Sequence, residues 1–135
     1  VFANDWNLFH FQSGVPNMPN MPLRGSFDVS MDDSAGNGLE AFIYDAINDE
    51  HYGQADPIAL PRDRWVHLEF YWKRATDATG EVALYQDGQE LVRRSGIVTD
   101  ESPFGQWYVG NWTASLDELP NTVSLFVDDV TIRLP

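Results

Sequence analysis

The chain contains no cysteine, so neither disulfides nor thiolate metal sites can hold it together. Basic residues are scarce: 8 Lys and Arg stand against 21 Asp and Glu, for a net charge of -13. Nucleic-acid affinity rests on Lys and Arg neutralising phosphates, so this balance argues against nucleic acid, and equally against an anionic membrane surface. No apolar run approaches the length of a bilayer span, so no membrane insertion is expected, and no signal peptide opens the sequence. A helical period is missing over any useful length, the segment LDELP at 116–120 amounting to one turn at most. There is no Gly-rich phosphate loop and no nucleophile elbow, and the three histidines lack the spacing of a zinc site.

What is present is apolar and aromatic. Hydrophobic residues make up 43% of the 135 and aromatic ones 13%, which excludes disorder. No internal repeat or linker divides the sequence, so residues 1–135 read as a single domain, one that buries about two-thirds of its unfolded surface. The acidic surface suits a secreted or halotolerant protein, or a calcium binder, and the expected location is secreted or extracellular. The sequence opens in strand-like residues, which reads as a processed product or a piece of something longer.

The clearest pattern runs from Trp65 to Val92. Val66, Leu68, Phe70 and Trp72 alternate with Trp65, His67, Glu69, Tyr71 and Lys73, and Val82 and Leu84 alternate with Ala83 and Tyr85. Side chains of a strand alternate between faces, so the first set of each pair predicts a core surface and the second an outer one. Asp87-Gly88 supplies a two-residue hairpin turn. Further strands are predicted at Trp6–Gln12 (Phe9 and Phe11 on one face, Leu8, His10 and Gln12 on the other), Phe27–Met31, Leu39–Ala46, Gln106–Trp112 and Thr122–Leu134. For Leu39–Ala46 the period leaves open which face is buried. Trp107 and Val109 are predicted inward. Clusters of Pro, Gly, Asn and Asp, including 13–25 and Asn48–Arg64, separate the strands as loops. About seven short strands without helices predict an all-β fold, a sandwich or barrel.

The outward positions carry the candidate site: His10, Gln12, Tyr44, His67, Glu69, Tyr71, Lys73, Tyr85, Tyr108 and Trp112. Flat aromatic rings stack on sugar faces, while amides and carboxylates meet hydroxyls, so these residues on one sheet surface suit a polysaccharide or oligosaccharide. The plainer alternative is the ordinary solvent side of a half-exposed sheet, where Tyr, Trp and His are common. Carboxylate clusters at Asp28, Asp32-Asp33 with Asn37, at Asp45 with Asp49-Glu50, and at Asp128-Asp129 offer hard oxygen ligands for calcium.

The series Trp65-x-His67-x-Glu69 and Gly80-x-Val82-x-Leu84-Tyr85-x-Asp87-Gly88 resembles the concanavalin A-like lectin/glucanase superfamily, which includes laminin G-like modules and polysaccharide lyases. Tyr108–Trp112 and Val127-Asp128-Asp129-Val130 are similar to its late strands. The resemblance covers about the last 70 residues and implies an antiparallel β-sandwich of jelly-roll type, here either lacking N-terminal strands of the full family fold or a minimal version of it. It implies non-catalytic carbohydrate binding as the function, with a structural calcium at Asp128 or Asp129. The glucanases' Glu-x-Asp-x-x-Glu triplet is missing, and a retaining glycosidase needs its two carboxylates about 5 Å apart. Two alternatives follow from the same resemblance. One is a lyase acting by β-elimination, which would use His10, Gln12, His67 and Tyr71, with Lys73 and Arg74 receiving a uronate. The other is a laminin G-like module that binds a protein.

Overall fold

A computed structural model describes residues 6–13, 24–33, 38–100, 105–113 and 125–133, with the backbone alone at 13, 24–26, 106 and 111–113. Eight strands form: β1 (Trp6–Ser13), β2 (Arg24–Asp32), β3 (Glu40–Asp45), β4 (Glu50–Tyr52), β5 (Leu68–Lys73), β6 (Gly80–Gln86), β7 (Gln89–Ile97) and β8 (Gly105–Thr113). No helix occurs among the described residues. The strands pair antiparallel into a five-stranded sheet, order β4-β3-β2-β1-β8, and a three-stranded sheet, order β5-β6-β7.

The two sheets face each other as a β-sandwich because each has one apolar side. Phe27, Val29, Met31, Ala41 and Ile43 from the larger sheet share one core with Val82, Leu84 and Val92 from the smaller. Phe11 reaches across, its ring centroid 4.8 Å from that of Phe70 and 4.9 Å from that of Trp72. Phe27 is fully buried, so truncation to alanine would cost about 3–5 kcal/mol.

Local chemistry fixes the turns. Asp87 and Gly88 take positive φ of 49° and 82°, which closes the predicted hairpin between β6 and β7. The Asp87 carboxylate also accepts the His67 N–H (3.0 Å) and the Arg64 guanidinium (3.0 Å), pinning the segment ahead of β5. These bonds hold the Asp87 carboxyl below the usual carboxylate range, the His67 N–H contributing most. Asp45, a calcium candidate in the sequence, is fully buried and committed to structure. It accepts the backbone N–H groups of Ile47 and Asn48 (3.0 Å each), the Asn48 side-chain amide (2.8 Å) and the Tyr52 hydroxyl (2.7 Å). It thereby shapes the β3–β4 connection inside a stretch predicted as loop, where β4 supplies an extra strand.

Other differences also have local causes. A bulge shifts the register of β1 between Asn7 and Phe9 on both of its edges, so Leu8 joins the core and does not share a face with His10. Ala41 and Ile43 turn to the core, which puts Phe42 and Tyr44 outside. Trp107 lies on the edge strand β8, opposite Phe11, and is half-exposed where a core residue was predicted. Over its described part the predicted closing strand is not formed: residues 125–133 join no sheet, and Phe126 is 76% exposed. Asp129 has a φ of 53°, and its N–H bonds back to Asp128 Oδ1 at 2.8 Å, a left-handed kink incompatible with an extended ladder.

Candidate functional site

Strand pairing brings five chemically active side chains into one transverse row. His51 on β4 stands opposite Tyr44 on β3, Tyr44 opposite Asp28 on β2, Asp28 opposite His10 on β1, and His10 opposite Tyr108 on β8. Directly opposed residues of antiparallel strands point to the same face. The row therefore crosses the whole five-stranded sheet on the side away from the core, about 19 Å at the usual strand spacing.

Within the row the contacts are specific. His10 Nδ1 is hydrogen-bonded to Asp28 Oδ1, so the carboxylate orients the imidazole. The His10 ring lies 4.8 Å, centroid to centroid, from that of Tyr108, at 36°. Tyr108 can sit there because Gly110, two residues on along the same face, has no side chain. A Cβ at Gly110 would come within 2.7 Å of the Tyr108 ring. At the other end, the His51 ring lies 4.8 Å from Tyr44 and 5.5 Å from Phe42. Tyr44 donates its hydroxyl hydrogen to Asp49 at 2.8 Å. In the neighbouring row Ser30 donates to Asn7 Oδ1 at 2.7 Å, and both are buried although they face away from the core.

The electrostatics of the row are those of an acidic surface. Tyr44 has its pKa raised, first by the hydrogen bond to Asp49 and then by burial and the charges of Asp49, Asp28 and Asp45. Tyr108 is raised by burial and by the Asp28 charge. Both phenols thus stay protonated at neutral pH and present hydroxyl groups beside their ring faces.

The residues predicted from sequence are divided by the sandwich. His10, Tyr44 and Tyr108 are together on the outer face of the large sheet. Gln12 extends that face one row along β1, opposite Gln106. Trp112 has its backbone in β8 opposite Asn7, and its side chain lies outside the described residues. Glu69, Tyr71, Lys73 and Tyr85 occupy the outer face of the small sheet, on the opposite side of the molecule, with His67 just before β5. The two groups cannot form one surface, because a complete sandwich separates them. A four-residue set of His10, Gln12, His67 and Tyr71 around one substrate is excluded for the same reason.

The far face is also occupied by its own interactions. Arg93 bonds Glu81, Glu90 and the Tyr85 hydroxyl, and lies 6.0 Å from the Tyr85 ring centre. Arg74 is taken by the buried Asp100, its Nε donating at 2.6 Å.

Asp28 and His51 belong to the row, and Phe42 packs on His51 from the neighbouring row; none of the three is among the predicted ligand residues. In the sequence Asp28 stands out only as part of an acidic loop, and the Pro and Gly content around His51 hides the short β4. Asn7 is hidden by the bulge, which no residue of WNLFHFQ announces. For calcium, Asp128 and Asp129 are exposed neighbours, one carboxylate oxygen already engaged by the chain's own N–H. Calcium takes 6–8 oxygen ligands, and no group of three or more His, Asp or Glu among the described residues gathers at one point. Comparison with known proteins gives no match to any family model, curated protein or solved structure.

Proposed function

We propose that this protein binds carbohydrate, without catalysis, on the outer face of its five-stranded sheet. The supporting observation is the row His51–Tyr44–Asp28–His10–Tyr108. Aromatic rings at both ends and oriented polar groups between them offer stacking area with a few fixed hydrogen-bonding atoms. Tyr108 is 40% exposed, enough to meet a sugar ring while its position is fixed by His10 and Gly110. Retention on a panel of immobilised glycans tests the reading. Tyr108→Ala and Tyr44→Ala should lose retention with an unchanged melting temperature, and retention kept in both variants would refute it.

A lyase reading has one observation in its favour, the Asp28-oriented imidazole beside Tyr108, which could move the proton next to a uronate carboxylate. Asp28 itself weighs against it, since a uronate would be brought beside a carboxylate of the same charge. Unsaturated, ultraviolet-absorbing products released from alginate or a glucuronan would establish it in place of simple binding.

A further inference from the structure

Acceptors dominate the row, with the Tyr108 hydroxyl able to donate or accept at its end. Asp28 is 8% exposed, and the one hydrogen bond to its side chain among the described residues is the bond from His10 to Oδ1, which leaves Oδ2 its lone pairs. A carboxylate, once ionised, can only accept. With Nδ1 engaged by Asp28, His10 has Nε2 as its remaining ring nitrogen. Tyr44 spends its hydroxyl hydrogen on Asp49, so its oxygen is left to accept. These three side chains sit on adjacent strands in one row, with the Tyr108 ring at their end. A donor on the ligand therefore finds acceptors at Asp28 and Tyr44, and a cationic donor gains further from the ring faces of Tyr44 and Tyr108. A uronate brings acceptors and a negative charge to the same place.

Resting on the carbohydrate-binding reading, we propose that Asp28 determines specificity on this face, selecting sugars with a free amine, as in a glucosamine polymer, and rejecting uronates. The remaining acidic groups of the chain set a general attraction for cations, so the experiment must separate Asp28 from net charge. Binding of the full chain is measured on a glucosamine polymer, on its N-acetylated form and on a polyuronate, at ionic strength near 0.15 M, where long-range charge effects are screened. Asp28→Asn is compared with Glu69→Gln, which removes the same charge from the opposite side of the sandwich. The wild-type protein should prefer the free amine to the acetylated polymer roughly tenfold, the effect of one charge-assisted hydrogen bond. Asp28→Asn should bring that ratio towards one, and Glu69→Gln should leave it intact.

Equal losses in the two variants, or wild-type binding to the acetylated polymer or the polyuronate as tight as to the amine, would overturn the selectivity while leaving carbohydrate binding standing. Binding to none of the three would overturn both. Melting curves identify an unfolded variant, and in that case the wild-type comparison of the three polymers decides.

Discussion

Single residues carry much of the account. Tyr52 is buried against Asp45, and its pKa is raised from 10.0 by burial and by that hydrogen bond. A raised folded pKa means that the fold favours the protonated phenol. The associated stability is complete below pH 10 and is lost as pH rises through the folded value. Tyr52→Phe should cost about 1–3 kcal/mol at neutral pH, because Asp45 loses a donor in the interior. It should also lose less stability than the wild type between pH 9 and 11, as followed by thermal melting; parallel declines would contradict the role given to Tyr52. Glu40 stands directly opposite Asp32, and its Oε1 is shut from solvent without a hydrogen-bond donor. Like charges opposed across strands are destabilising, so Glu40→Gln should raise stability by about 0.5–1 kcal/mol in denaturant titrations. Gly110→Ala tests the seat of Tyr108: glycan retention should fall severalfold while far-ultraviolet circular dichroism stays unchanged, and full retention would show that the ring needs no such gap.

At the scale of elements, connections tie the sandwich together. Gly80 opens β6 where a Cβ would meet Ile97 O and Thr99 Oγ1 at 2.5 Å. Thr99 is itself buried, donating to Lys73 O (2.7 Å) and accepting the Ala75 N–H (2.8 Å), so neither neighbour can yield. Gly80→Ala should therefore cost about 1–3 kcal/mol through overpacking, measured as a lower denaturant midpoint. The elements were legible where period and turn chemistry agree. Leu68–Lys73, Glu81–Gln86 and the Asp87-Gly88 turn were found as strands and a hairpin, because alternation and left-handed turn residues are both local signals. β4 was not, because a three-residue strand has no period to read and forms by pairing with β3 and by the Asp45–Tyr52 bond. The Leu8 bulge and the kink at Asp129 escaped for a related reason. Each depends on a single backbone conformation, set by neighbours that alternation does not report.

At the scale of the whole molecule, alternation says which residues face outward along β5 and β6 but not which sheet each strand joins. His67 and Tyr71 share their outward alternation with His10 and Tyr108, yet they lie on opposite outsides of the sandwich, since β5 pairs with β6 and β1 pairs with β2 and β8. Half of the candidate surface was thus legible as chemistry and misplaced as geometry. The division sharpens the proposal, because it assigns binding to one face and not to the other. Retention of matched single variants on the best-bound glycan, Tyr108→Ala for the large sheet and Tyr71→Ala for the small one, tests that division directly. The account predicts that Tyr108→Ala abolishes retention and Tyr71→Ala leaves it at the wild-type level; loss in Tyr71→Ala with retention intact in Tyr108→Ala would contradict it.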